Sequence, residues 1–428
     1  MACGGSDRQN RSMVTGGQAA ADAFPAGPRA GGRGTGLGRG TEVRRGLLRG
    51  AMAGASVALL AGAAASAAAT YLARRVVSPD AERPDDVHVL GVGAGTVTLR
   101  ATEETVAPGR YGLWLDSGSG HARLGDVIDH DDAAHTVTRR VLGIDGGRLR
   151  GGPARWNQYF FAGTPGTALG LDFADVDLDA GHGPLPAWHV PPAPGVPARD
   201  TWAILVHGRG ATREECLRAV PVLHRLGFTA LVVSYRNDAG AARSLGGRYH
   251  LGDAEWLDVE TAVLYAVEHG ARDAVLVGWS MGGAIALQAV SRSWLSDRVR
   301  ALVLDAPVLD WRDVLDHHAR LNRVPSGIGR LSQVVLEHPQ ARRLAGVDAP
   351  VSLDRLDWVR RAEELHLPVL LIHSDDDEFV PAGPSRLLAA ARPDLVTFVP
   401  FRTARHTKEW NVDAEQWDTA VARFLLQL

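Results

Sequence analysis

Lysine is almost missing from this chain: Lys408 is the only one, and every other basic side chain is an arginine. The bias points to GC-rich coding and not to a binding code. Cysteine is nearly as scarce, with only Cys3 and Cys216, so no structural disulfide is expected whether the protein is exported or retained. No Cys/His cluster has zinc-ligand spacing, and His317-His318 reads as helix surface, so neither a metal nor a cofactor is expected. A glycine-rich phosphate loop is also lacking, because Gly91-Val92-Gly93-Ala94-Gly95 is embedded in a β-rich stretch. The net charge is only −3, and aromatics do not interleave with the arginines. Nucleic-acid binding is therefore excluded.

What is present is a serine in a telling place. Gly278-Trp279-Ser280-Met281-Gly282 follows the apolar run Ala274–Val277 and precedes the helical pattern Ala284–Val290. G-x-S-x-G between a buried strand and a helix is a nucleophile elbow, with Ser280 on a sharp, strained turn. The two glycines let neighbouring backbone approach where a Cβ would clash.

A serine hydroxyl needs a base, and the base needs a group to orient it. After such an elbow the expected chain order is serine, acid, histidine. Pro368–His373 reads as a buried strand running into Ser374-Asp375-Asp376-Asp377-Glu378-Phe379-Val380-Pro381. Asp377 is chosen as the acid, with Asp375 its main competitor. Leu395–Pro400 forms a further strand, and His406 follows it, ahead of a final helix near Ala414–Leu428. The oxyanion of a tetrahedral intermediate needs two backbone donors. Met281 supplies one, and Arg209, in the loop after the strand Ala203–Val206, supplies the other. His207, at that strand's end, is assigned a structural role in shaping the loop.

Through His207-Gly208-Arg209-Gly210, Gly278–Gly282, the loop His373–Pro381 and Arg405-His406, the chain resembles the α/β-hydrolase superfamily. The resemblance covers residues 170–428. Ser234–Asp238 and Leu251–Trp256 look like a bacterial subgroup similar to acyl-esterase-like and serine-peptidase-like hydrolases. It implies a mostly parallel sheet covered by helices, with the chemistry at the carboxyl ends of the strands.

The coarse periodicity agrees. Strands at Gly170–Asp177, Leu185–His189, Thr201–Val206, Thr229–Ser234 and Arg300–Leu304 alternate with helices near Thr212–Leu226 and Ala254–Glu268. The segment from Asp305 to Pro368 is too long for a plain crossover. Trp311–Ala319, Ile328–Leu336 and Leu356–Leu365 have helical spacing, so a helical lid is expected over about residues 311–365. Asp305 is the runner-up acid, although a role in capping and orienting the lid fits it better.

Residues 80–165 have another texture. Val87–Val92, Gly95–Leu99, Tyr111–Leu115 and His135–Arg139 are short and rich in β-branched residues, which predicts a small antiparallel β-rich accessory domain. Residues 1–45 form a basic tail of Gly, Ala, Ser and Arg for which disorder is expected. Ala51–Ala73 carries no charge and is flanked by Arg44, Arg45, Arg49, Arg74 and Arg75. Residues 46–78 are therefore expected to form a transmembrane or signal-anchor helix. A cleaved export signal and a soluble alanine-rich helix are the alternatives. The denser arginines before the run favour a single-pass membrane protein with an extracytoplasmic catalytic domain.

The expected activity is hydrolysis of carboxylic esters, or of thioesters, on a small-molecule or lipid-like acyl substrate. A serine peptidase is the enzyme alternative. It would need a group to capture a peptide terminus, and Glu214-Glu215 is a weak candidate that reads better as solvated helix surface. A non-catalytic binding module is the remaining alternative, weakened because all three members of a triad are present.

Overall fold

The computed structural model describes residues 60–79 and 83–428, and Gly62–Leu428 form one compact unit. Two sheets organise it. The first contains β1 (Val87–Gly93), β2 (Thr96–Arg100), β3 (Tyr111–Leu115), β4 (Gly120–Asp131), β5 (Thr136–Gly146) and β6 (Gly152–Asn157), closed into a barrel in the order β1-β2-β5-β4-β3-β6. Its pairings are antiparallel. Alternation along β1 and β2 turns Val89, Val97 and Leu99 inward, onto Leu113, Leu124, Val137 and Trp156. Closure leaves no open edge. Strands β4 and β6 escape a reading of the sequence because polar residues and glycines break their apolar pattern.

The second sheet contains β7 (Ala174–Asp179), β8 (Pro184–Val190), β9 (Thr201–Val206), β10 (Thr229–Val233), β11 (Asp273–Trp279), β12 (Val299–Asp305), β13 (Val369–Ser374) and β14 (Val396–Phe401). Their order is β14-β13-β12-β11-β9-β10-β8-β7. Strands β9 to β14 pair in parallel, whereas β7 and β8 form an antiparallel edge. The central strands are buried along their whole length, which is why they read as continuous apolar runs and not as alternation.

The helices are α1 (residues 60–77), α2 (Pro165–Leu169), α3 (Val220–Arg225), α4 (Trp256–Glu268), α5 (Met281–Arg292), α6 (Trp311–Leu321), α7 (Ser326–Glu337), α8 (Arg342–Ala345), α9 (Gly383–Ala391), α10 (Glu409–Val412) and α11 (Ala414–Leu425). On one face α4 and α5 pack with Ile204, Leu231 and Leu276. On the other, α3 and α11 pack with Leu205, Val232 and Val277. Helices α6, α7 and α8 form the expected insertion, but Leu356–Leu365 is not a helix. It holds only the 3-10 turn Ala362–Glu364. The Trp358 amide is drawn off to the carbonyl of Leu309 at 2.8 Å, and Leu356 and Trp358 are buried as anchors.

The transmembrane expectation for residues 46–78 is not supported. Among the described residues no helix is long and apolar enough to cross a membrane. Part of the charge-free run, Ala51–Leu59, lies outside the described residues, as does the tail 1–45. What is described of the run continues into α1, where Ala69, Ala73 and Val77 are buried against protein, the last two within the core of the large domain. Small alanine side chains give a flat helix face that suits such close packing. The carbonyls at the end of α1 are orphans of helix geometry. The Arg209 guanidinium answers them, donating to Val76 O at 2.7 Å and to Arg75 O and Ser78 O at 3.1 Å.

Candidate active site

Strand β11 delivers Ser280 to the carboxyl edge of the sheet, and α5 begins at the next residue. Ser280 has φ 52° and ψ −117°, a left-handed φ that costs a non-glycine residue about 1–3 kcal/mol. Its neighbours show why only glycine serves on either side. A Cβ on Gly278 would lie 2.6 Å from Gly282 O, and one on Gly282 would lie 2.1 Å from Val206 O. The turn is fixed further by the Ser280 amide, which donates to Asp305 O at 3.0 Å, and by its carbonyl, which accepts from Val308 N at 3.1 Å.

The loops after β13 and β14 meet the serine. Ser280 Oγ donates to His406 Nε2 at 2.9 Å. His406 Nδ1 donates to Asp377 Oδ2 at 2.7 Å. Asp377 Oδ1 accepts from the amides of Phe379 (2.9 Å) and Val380 (2.8 Å), and His373 Nε2 lies 3.2 Å from Oδ2. Burial opposes a charge on Asp377. The His406 charge and the hydrogen bonds from His373 and His406 outweigh it and hold the carboxyl well below its usual range. Burial also lowers the proton affinity of His406, but the charge and hydrogen bond of Asp377 prevail, and its pKa is raised above 6.5. Phe379 stacks on the His406 ring, centroids 5.1 Å apart.

Of the alternative acids, Asp375 pairs at the surface with Arg386. Asp305 is fully buried behind the serine and accepts from Trp417 Nε1 at 2.7 Å. It does not cap the lid: its strand ends inside the core, where α11 and not the insertion supplies the partner.

The loop bearing Arg209 abuts the serine, since a Cβ on Gly208 would lie 3.2 Å from Ser280 Cβ. Met281 opens α5 directly after Ser280. His207 is buried and donates from both ring nitrogens, to Asp238 Oδ2 at 2.7 Å and to Gly208 O at 2.9 Å. Burial disfavours its charge, yet Asp238 raises its pKa above the ordinary value. Glu215 departs from expectation. It is not solvated surface but 3% exposed, accepting from the Gly208 amide at 2.8 Å and from Gln158 Nε2 at 3.0 Å. His317 and His318, on α6, donate to the carbonyls of Glu378 and Phe379, each at 2.9 Å. The insertion is thereby joined to the loop that holds Asp377. Among the described residues no group of His, Cys, Asp and Glu has the arrangement of a metal site.

A family model described as alpha/beta hydrolase fold matches residues 202–344. A monoacylglycerol lipase of Mycolicibacterium smegmatis is 29% identical over 209 residues, 43% of this chain and 73% of the lipase. Residues 202–344 are those of an α/β-hydrolase superfamily member. A second family model, described as a domain of unknown function, matches residues 88–157, the barrel that precedes the hydrolase domain. Similar solved structures include an esterase of Pyrococcus furiosus, at 19% identity and a TM-score of 0.47, covering 62% of this chain and 95% of the esterase. Another is 2-hydroxy-6-oxo-6-phenylhexa-2,4-dienoate hydrolase of a Rhodococcus strain, at 16% identity and a TM-score of 0.43, covering 60% and 99%.

Sequence reasoning missed several residues around the hydrolase site. His373 stands four positions before Asp377, so the spacing was visible but its meaning was not. Glu215 was read as solvated surface, and Gln158 and Asn411 carry no local signal, because the partners of all three are remote in sequence.

Proposed function

We propose that this α/β-hydrolase cleaves carboxylic esters through an acyl-enzyme, with Ser280 as nucleophile, His406 as general base and Asp377 as the group that orients it. One observation carries the reading: an unbroken hydrogen-bond chain runs from Ser280 through His406 to Asp377, on a strained elbow at the carboxyl edge of the sheet. His406 takes the serine proton as Oγ attacks the carbonyl, and returns it to the leaving alcohol. Asp377 stays ionised throughout, in keeping with its depressed pKa, and stabilises the imidazolium. The amides of Arg209 and Met281 receive the oxyanion. Water, activated by His406, then releases the acid. Thioesters fall within the same chemistry.

The M. smegmatis relative supports an ester of a small or lipid-like acyl substrate. Ser280 is only 6% exposed, and α6 is tied to the neighbouring acid loop through the Glu378 and Phe379 carbonyls. Against the peptidase alternative stands Glu215, already engaged by Gly208 and Gln158. The test is turnover of a p-nitrophenyl ester series, from acetate to palmitate, by the full chain and by Ser280→Ala. Turnover that depends on Ser280 is expected, and the best chain length sizes the acyl pocket. Equal turnover by the variant contradicts the reading.

A further inference from the structure

The barrel reaches the loop that carries His406 from both sides. Glu104, between β2 and β3, accepts from Arg405 Nη1 at 3.2 Å and from Lys408 Nζ at 2.6 Å. One barrel carboxylate therefore bridges the residue just before His406 and the residue two beyond it. Lys408, the only lysine of the chain, is 8% exposed, and its ammonium is paired with this carboxylate.

Other contacts extend the grip. Asn411 is fully buried; its Nδ2 donates to Arg110 O at 2.7 Å and to Gln158 O at 2.8 Å, while Arg110 N donates to Asn411 O at 2.9 Å. Gly109 has φ +99°, and a Cβ there would lie 2.1 Å from Asn411 O, so the two backbones are in direct contact. Gln158 Nε2 bonds Thr407 Oγ at 3.3 Å as well as Glu215. Thr407, next to His406, has a left-handed φ of 52°, a conformation that neighbours must hold.

The barrel interior is arranged to support this loop. Arg139 is buried, its guanidinium lying over the Tyr111 and Trp156 rings of the barrel core, and it donates to Gly125 O at 2.9 Å and to Thr105 O and Ala107 O at 2.8 Å. Burial lowers its pKa to about 10, a cost that a barrel filled with apolar side chains would avoid. That arginine fixes the segment that presents Glu104.

We propose that the barrel is a positioning module for the His406 loop, with Glu104 as its positioning residue acting through Lys408 and Arg405. The proposal rests on the reading of His406 as general base. It assigns a role within the hydrolase reaction to a module whose family has none described.

The test is steady-state turnover of a p-nitrophenyl ester by the full chain carrying Glu104→Gln, Lys408→Met, Lys408→Arg or the double substitution Glu104→Gln/Lys408→Met. Ser280→Ala and thermal melting are measured alongside. Glu104→Gln is expected to lower kcat about 10- to 100-fold with KM within about twofold, the scale of a misplacement of about 1 Å. Lys408→Met should lower kcat in the same way but by no more than Glu104→Gln, which also loses Arg405. Lys408→Arg should retain most of the activity, and the double variant should be no worse than Glu104→Gln, because both substitutions break the Glu104–Lys408 contact. A kcat for Glu104→Gln within about twofold of wild type, with Ser280→Ala inactive, overturns the barrel's role and leaves the hydrolase reading intact. Fully additive losses overturn it too. Turnover by Ser280→Ala instead removes the reading beneath it. If Glu104→Gln does not fold, Lys408→Met against Lys408→Arg decides the same contact from the other side.

Discussion

Ser280 and His406 lie 2.9 Å apart but are built in opposite ways. The serine is set by main chain, in the turn between β11 and α5 and against the ends of the neighbouring strands: its φ of 52°, the bare approaches at Gly278 and Gly282, and main-chain bonds to Asp305 and Val308. The histidine rides on a loop whose geometry comes from groups elsewhere in the chain, namely the Asp377 carboxylate after β13, the Glu104 carboxylate and Arg110 carbonyl of the barrel, and the Gln158 side chain just after it. A proposed nucleophile held by main chain resists changes of side chains around it. A proposed base held by remote groups is open to them, and that is where tuning by a second module enters.

Breaking the serine half should have the largest effect. Ser280→Ala is expected to lower kcat by about 10,000-fold or more while far-UV circular dichroism stays that of wild type. On the histidine half, Asp377→Asn should cost about 10,000-fold in ester turnover through the wrong imidazole tautomer. Asp375→Asn, which loses only a surface partner in Arg386, should stay within about threefold of wild type. Equal losses for the two would mean that the acid is not singular.

The loop proposed to receive the oxyanion offers a finer test of the same contrast, because its anchor also comes from outside the sheet. Arg209→Ala frees the loop from the α1 carbonyls and should lower kcat about 10-fold in steady-state turnover, with little change in KM. Deleting residues 1–78 should reproduce that loss and lower the melting temperature, since Ala73 and Val77 leave the core.

The smallest effect is a shift in pH profile. His406 must be unprotonated to act, and its pKa is raised above 6.5 because Asp377 outweighs burial. The acid limb of kcat/KM should therefore have its midpoint above 6.5. In Asp377→Asn the burial cost remains and the raising charge is gone, so the residual activity should show a midpoint moved to lower pH.

These contrasts also explain what the sequence could reveal. The elbow was legible because strand, glycines, serine and helix are contiguous. Strands β9 to β13 were legible because burial on both faces makes unbroken apolar runs. The superfamily resemblance followed from those contiguous motifs. Glu215 was misread as solvated surface because its partners, Gly208 and Gln158, come from separate segments. Asp305 was misjudged for the same reason, its partner Trp417 lying on the last helix. The alanine-rich run was read as a membrane span from its lack of charge. Lack of charge serves equally well for a helix laid against protein, as Ala69, Ala73 and Val77 show. The single lysine was noticed as an oddity of coding, and only the fold gives it a partner.

The most direct test of the central claim is fluorophosphonate labelling of the full chain with the modified residue located by peptide mass mapping. The account predicts one label per chain on Ser280, abolished in Ser280→Ala and strongly slowed in Asp377→Asn. A label on another residue, or ester turnover by a chain that Ser280-directed labelling leaves untouched, would contradict it.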